Sequence, residues 1–359
     1  MTTLADVGGW PTVLGRLVAG ADLTAAEAGA ALAEILSGDA TPAQIAAFVV
    51  ALRAKGETSE ELAGLLSAVL DARVPVTLPP ELQRQAIDIV GTGGDRSHSV
   101  NVSTMSALVV AGAGVPVCKH GNRAASSSCG AADLLEELGV AIELNAEGVV
   151  RCVEEAGIGF CFAPRFHPAF RHAGPIRREI GVPTAFNVLG PMANPARVPY
   201  MVVGVAAEAF ARRMIETLAA HGVIRAWVVH GGDGLDELST TTSSHVLALE
   251  DGTIRAFELE PLDHGLQRAT PEELRGGPPA ENAAIARALL AGEPGPVRSI
   301  VALNAGAAMV VAGKVPDLDA GIAEACAVID DGRAAAVLER FAAVSHDAAG
   351  ASSEHHRHP

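Results

Sequence analysis

Aromatic side chains are scarce in this chain: nine Phe, two Trp and one Tyr in 359 residues. A core must therefore be packed mainly from Ala, Val, Leu and Ile. Positive charge is also short, with 26 Lys and Arg against 42 Asp and Glu and a net charge of −16. That balance argues against nucleic acid held through a broad electrostatic footprint. It leaves room for a phosphate ligand, because a local patch or a bound metal overrides the global sign. The five cysteines (118, 129, 152, 161 and 326) form no CxxC pair. Thiolate metal ligation is not expected, and they read as reduced core thiols of a cytoplasmic protein. No apolar run reaches bilayer-spanning length, and "MTTLADVGGW" carries no signal-peptide pattern, so no membrane partner is expected.

What is present is 49% hydrophobic and 19% charged residues, the composition of a globular protein long enough for two domains. The first eighty or so residues read as helices. Three capping boxes follow one another: Thr24 with Glu27, Thr41 with Gln44, and Thr58 with Glu61. Pro42 takes the first helical position of the second, where its missing N–H costs nothing. "VPVTLPP" then marks a boundary. Beyond it, short apolar runs alternate with helical stretches: "AIDIV", "VPVCK", "GIGFCFA", "YMVVGVA" and "RAWVVHG" as strands, with helices between them. This rhythm predicts an α/β fold with a parallel sheet and helical crossovers. "HVLALE" and "TIRAFELE", joined through Asp251-Gly252, read as an appended hairpin. From Glu281 the chain is again mainly helical, and "AAGASSEHHRHP" reads as a frayed tail. Residues 167–196 hold five prolines and Arg171, Arg177 and Arg178. A connector lining a cleft and a solvated surface loop account for that segment equally.

Three loops at predicted strand ends carry candidate chemistry. In "AIDIVGTGGD" a strand delivers Gly91, Thr92, Gly93, Gly94 and Asp95 into a turn suited to an anion nest. A tight strand-to-helix turn would use the same residues, and the run is neither a GxGxxG fingerprint nor a Walker loop. Asn101, Ser103 and Thr104 then open the next helix, where free N–H groups and hydroxyls suit phosphate. "KHGNRAASSSCG" leaves the following strand and so emerges at the same sheet edge, where open α/β sheets bind ligands. Lys119 offers a point charge there and the serines offer hydroxyls. In "HGGDGLDELST" the adjacent Asp236 and Glu237 are hard oxygen ligands suited to Mg²⁺, which takes one or two carboxylates plus substrate phosphates.

"GTGGD", "NVST", "KHGNRA", "GAADLLEELG", "FHPAFRHAGPIRREIGVPTAFNVLGPMANPA" and "DGLDELS" resemble, in order and spacing, the motifs of the anthranilate phosphoribosyltransferase family. The resemblance spans essentially the whole chain. It implies a small, mostly helical domain (1–80 plus part of 168–196) and a large α/β domain (81–167 and 197–346) with a mainly parallel central sheet flanked by helices. Residues 347–359 are then a flexible tail. A homodimer and two Mg²⁺ ions per subunit are also implied. The reaction implied is transfer of phosphoribose from 5-phosphoribosyl 1-diphosphate to the amine of anthranilate, with release of pyrophosphate.

Carried onto this chain, the resemblance assigns the diphosphate substrate to Gly91, Gly94, Asp95, Ser99, Asn101, Val102, Ser103 and Thr104. Lys119, His120, Gly121, Asn122, Arg123, Ala124, Ala125, Ser126, Ser127 and Ala131 complete that set. Anthranilate meets Gly91, Asn122, Arg177, His167 and Gly190, with His120 nearby, and Mg²⁺ meets Ser103, Asp236 and Glu237. No covalent nucleophile is expected, and His120 and His167 are the candidate proton acceptors. Arg96, His98, Cys129 and Ala131 depart from the residues usual in the family. A pyrimidine-type nucleoside phosphorylase would share the architecture but lack the HGNR element and the acidic pair. A nucleic-acid-binding paralogue would carry a basic groove.

Overall fold

The computed structural model describes residues 2–124 and 128–355, with backbone alone for 352–355. Four helices lead the chain: α1 (Gly9–Val18), α2 (Ala25–Ser37), α3 (Pro42–Lys55) and α4 (Ser59–Asp71). All three expected capping boxes form, each closing in both directions between the Thr and its partner three residues on. Glu61 does more than cap α4. It is buried, accepts from Leu23 N at 2.9 Å and pairs with Lys55 Nζ at 3.0 Å, so one carboxylate ties the entries of α2 and α4 to the exit of α3. Helices α2 and α4 meet backbone to backbone. A Cβ on Gly64 would stand 2.0 Å from Ala25 O, so no other residue fits at that crossing.

A short helix α5 (Pro80–Gln83) leads into the sheet, whose strands are β1 (Ile87–Gly91), β2 (Val117–Gly121), β3 (Ile158–Phe162), β4 (Tyr200–Gly204), β5 (Arg225–Gly231), β6 (Ser244–Glu250) and β7 (Thr253–Leu259). Their order is β3-β2-β1-β4-β5-β6-β7. The first five strands run parallel, and β6 and β7 are antiparallel. The hairpin turns on Asp251 and Gly252, both at positive φ (49° and 73°), the backbone that Asp-Gly favours. Strand order reverses beside β1, so the ends of β1, β2 and β4 define the crevice where such sheets bind ligands.

The crossovers are α6 (Val102–Gly112), α7 (Ala131–Glu137) and α8 (Ala146–Ala156) on one side of the series. The connector after β3 carries α9 (Ala163–Phe166), α10 (Gly174–Ile180) and α11 (Phe186–Met192), and α12 (Ala211–Ala220) links β4 to β5. Within that connector, residues 168–172 pack on α2 and α10 packs on α3. The chain crosses between the leading helices and the sheet there, pinned by Val74 N to Phe166 O (2.8 Å) and Val76 N to Pro195 O (3.3 Å). The proline-rich segment is therefore a folded connector.

Helices α13 (Pro279–Leu290), α14 (Pro296–Val311), α15 (Leu318–Asp330) and α16 (Arg333–His355) complete the chain. From Ile300 to Met309 every residue of α14 is buried, making it a core helix against α6. Where the tail is expected from residue 347, α16 continues through buried Ala348 to His355, and residues 356–359 lie outside the described residues. No helix among the described residues is long and apolar enough to cross a membrane. Overpacking a close helix crossing costs about 1–3 kcal/mol. Gly64→Ala should lower the denaturant midpoint accordingly, and an unchanged midpoint would show that the crossing is not under this constraint.

Candidate active site

The sheet edge is organised around Lys119. Its side chain is only 2% exposed, so it is not the solvated charge its loop suggests. The ammonium donates to Ile89 O of the neighbouring strand and to Ser103 Oγ at 3.3 Å. Burial pulls its pKa down, while Asp88, Glu237 and Asp236 oppose that shift. Asp88, inside β1, is wholly buried, and burial lifts its pKa to about 6 against the pull of Lys119. It accepts from His120 N at 3.2 Å and from Asn194 Nδ2 at 2.8 Å. Asn194 also donates to Cys118 O at 2.8 Å and accepts from Ala196 N, so it fastens the connector to the sheet. Sequence reasoning missed both residues. The available signal was an acid in the middle of an apolar parallel strand, where a charge persists only with partners.

Above Lys119 lie Asp236 and Glu237. Asp236 Oδ2 accepts from Gly93 N at 2.6 Å, and Glu237 Oε1 accepts from Ser103 N at 3.2 Å, at the start of α6. The loop carrying them folds tightly over the strand ends. A Cβ on Gly204 would fall 1.5 Å from Asp236 O, and one on Gly91 would fall 2.3 Å from Asp236 Oδ2. Burial, and then Asp95, raises Asp236 to about 7. Burial, and then Asp236, raises Glu237 well above the usual carboxylate range, with Lys119 opposing. Asp95 lies near enough to Asp236 to push its pKa up further. The cluster thus holds more buried negative charge than Lys119 offsets, and hard oxygen donors of this kind suit a divalent cation.

The turn after Asp95 is locally knotted: Ser97 Oγ donates to Asp95 Oδ2 (2.7 Å) and to Ser99 Oγ (3.1 Å). Arg96 and His98 sit at φ 61° and 54°, a backbone region that favours glycine. Val102 N bonds to Val100 O, and Thr104 is buried with no partner for Oγ1 among the described residues. Asn101 stands at the N-cap of α6, but its side chain makes no capping bond; it bridges Cys129 O (3.0 Å) and Asn282 (2.8 Å).

In the next loop, Asn122 is exposed and its Oδ1 accepts from Arg123 N at 2.8 Å. Arg123, expected on the diphosphate substrate, is instead turned onto α7, paired with Asp133 at 3.0 Å and with Glu136, and lies over the Phe162 ring. Asp133 also accepts from Ala124 N and Gly130 N, both at 2.9 Å, and so closes the loop on itself. Arg123 is a brace. Ala131 opens α7, and Gly121 ends β2 against Phe160 and Ala131. Ala125, Ser126 and Ser127 lie outside the described residues.

A second cluster runs off the same edge. His120 and His167 are both buried, with ring centroids 5.0 Å apart. His167 stacks on Phe170 at 5.6 Å, Phe170 meets Phe186 edge-on at 5.7 Å, and Arg177 lies 4.9 Å over Phe186. Four of these five come from the connector, which explains its unusual composition. Arg177 is partly buried, which lowers its pKa, and has no ion pair among the described residues. His120 Nδ1 faces Gly190 O at 3.1 Å and His167 Nε2 faces Ala193 O at 2.8 Å. Each nitrogen must therefore donate, leaving a lone pair on His120 Nε2 and on His167 Nδ1. His120 Nε2 is buried without a partner among the described residues, and open space surrounds the Gly190 Cα. Burial holds His120 well below its ordinary value and His167 at about 4, so both rings are neutral.

Two regions of the chain match family models. Residues 11–72 match the helical bundle domain of the glycosyl transferase family, and residues 83–335 match its a/b domain. The anthranilate phosphoribosyltransferase of Saccharopolyspora erythraea is 53% identical over 347 residues, 95% of this chain and 97% of its own. That of Salinispora arenicola is 52% identical over 342 residues, 94% of this chain and 97% of its own. Among solved structures, the Thermus thermophilus enzyme aligns with TM-score 0.88 at 44% identity, covering 93% of this chain and 99% of its own. The Saccharomyces cerevisiae enzyme in complex with PRPP and Mg aligns with TM-score 0.86 at 29% identity, covering 94% and 98%. The chain belongs to the anthranilate phosphoribosyltransferase family.

The depressed His167 pKa has a sign that can be read in solution. Folded His167 titrates near 4, against 6.5 ordinarily. Between those values the unfolded chain binds a proton that the folded chain refuses. Its contribution is full above pH ~6.5 and is lost as the pH falls towards ~4. The melting temperature of His167→Gln should therefore fall less steeply than wild type across that window; parallel slopes would mean that the ring is not held neutral by burial.

Proposed function

We propose that this chain transfers the phosphoribosyl group of 5-phosphoribosyl 1-diphosphate to the amine of anthranilate, giving N-(5-phosphoribosyl)anthranilate and pyrophosphate, an early step of tryptophan synthesis. The observation that carries the reading is the pairing of two unlike clusters at one sheet edge. One is an excess of buried carboxylates around Lys119. The other is a stack of neutral rings ending in a guanidinium that has no ion pair among the described residues. The first suits a metal-bound diphosphate and the second an aromatic carboxylate. The enzymes above, at about half identity over nearly the full chain, support the same reaction.

Asp236, Glu237 and Ser103 are the residues that would hold Mg²⁺, two ions per subunit in this reading, since a cation would offset the burial, and then the mutual repulsion, that raise both acids. When bound, Mg²⁺ supplies stabilisation of the departing pyrophosphate. The amides of Gly91 to Asp95 and the start of α6 at Asn101 to Thr104 position phosphate oxygens, with the 119–131 loop completing the cradle. Lys119 acts from below by fixing Ser103 and balancing charge. Arg177 meets the anthranilate carboxylate in a planar fork that Lys does not reproduce, and Phe186 holds the guanidinium flat.

Asn122 faces the amine, and His167 and Gly190 form the wall behind the ring. Aniline nitrogen is already a neutral nucleophile, so catalysis rests on positioning, with no covalent intermediate. The His120 Nε2 lone pair is a weak base placed to take the proton released as the new C–N bond forms. The working unit in this reading is a cytoplasmic homodimer.

Purified protein with Mg²⁺ and anthranilate should lose anthranilate fluorescence on addition of phosphoribosyl diphosphate, and no loss would refute the assignment. Arg177→Ala should raise the anthranilate KM about tenfold or more, the scale of a lost charge-assisted pair. The diphosphate KM should stay near wild type and Arg177→Lys should not rescue; equal changes in both KM values would remove Arg177 from the acceptor site.

A further inference from the structure

We propose that Asn282 is a positioning residue for the diphosphate side of the site, acting through Asn101; the inference rests on the transferase reading above. Asn282 stands in the first turn of α13, 181 residues from Asn101 in sequence, and is 3% exposed. Its Oδ1 accepts from Gly277 N at 2.7 Å, and its Nδ2 donates to Asn101 Oδ1 at 2.8 Å. Asn101 Nδ2 in turn donates to Cys129 O at 3.0 Å. The relay begins at a backbone N–H and ends at a backbone C=O. Each carboxamide between them therefore has one permitted orientation, and the hydrogen bonds run one way.

The relay joins three segments that are far apart in the sequence. Residues 98–100 already run alongside 274–276, through Val100 N to Leu274 O (2.9 Å) and Gly276 N to His98 O (2.8 Å). Asn282 is the clasp at the end of that seam. A Cβ on Gly276 would stand 2.7 Å from Asn282 Oδ1 and 3.0 Å from Ser99 O, so the seam is tight. Asn101 immediately precedes α6, whose Ser103 donates through N to Glu237 and accepts through Oγ from Lys119. Cys129 immediately precedes Gly130, where Asp133 closes the KHGNR loop. One carboxamide on α13 thus sets the spacing between the start of α6 and the end of that loop.

Asp is the discriminating replacement. It matches Asn in shape and still accepts from Gly277 N, but it turns an acceptor towards Asn101 Oδ1. If Asn101 flips to meet it, Asn101 Oδ1 then opposes Cys129 O. One link is lost either way.

Asn282→Asp should raise the KM for phosphoribosyl diphosphate about tenfold, the scale of one buried hydrogen bond lost with its partner left unpaired. The anthranilate KM should stay within about twofold. Calorimetric binding of phosphoribosyl diphosphate with Mg²⁺ should weaken by the same ratio without turnover, so a failed transferase reading and a failed relay give different results. A cycle of Asn101→Ala, Asn282→Ala and the double variant tests the route. If Asn282 acts through Asn101, its removal adds less than about threefold once Asn101 is gone. Additive effects, equal rises in both KM values, or a lowered melting temperature with both KM values unchanged would each overturn the proposal. Asn282→Ser enters the same cycle if Asn282→Asp does not fold.

Discussion

A single buried ammonium holds this sheet edge together. Lys119 reaches from β2 to a carbonyl of β1 and to the serine that opens α6, with Asp88 on one side and Asp236 and Glu237 on the other. A lone charge in that position is tolerated only when paired and hydrogen-bonded. Here the pairing is deliberately unequal: one ammonium faces three carboxylates, and Asp95 adds a fourth through Asp236. The surplus is what makes the edge receptive to cations although the protein as a whole is strongly acidic. The negative net charge and a polyanionic substrate are therefore not in conflict, because the local site is built to bind the two kinds of charge together.

The aromatic side solves the opposite problem. With so few aromatic residues in the chain, His120 and His167 serve as flat packing surfaces beside Phe170 and Phe186. Carbonyls of the connector fix their tautomers, and burial keeps them uncharged. Arg177 ends the stack as a cation no carboxylate has claimed among the described residues. The connector that supplies most of this stack is itself pinned to β1 and β2 by Asn194, and to the leading helices by α10. The leading helices and this stack are thus joined through one connector.

Much of this architecture was legible in the sequence, and for identifiable reasons. Capping boxes, apolar strand periodicity and the Asp-Gly turn are local signals, and each formed as expected. The strand-end loops were legible because glycine and polar residues interrupt apolar runs. What escaped were side chains whose partners are remote. Lys119 read as a point charge offered to phosphate, and its burial escaped because burial is a property of the neighbouring strands. Arg123 read as ligand-facing because its acids lie on the following helix. Asn282 had no local pattern at all, since its meaning depends on Asn101 far back in the chain. The end of α16 read as a loose tail because its composition is polar and small, yet α8 offers it a surface.

The two glycines at the rim of the site differ in kind. At Gly204 the space for a side chain is already filled by the backbone of Asp236, whereas at Gly190, beside His120, nothing stands within 4 Å. One half of the site is cast around main chain and the other is bounded by replaceable side chains. Inherited variation can therefore add a side chain at Gly190 without a clash, while Gly204 stays closed to any.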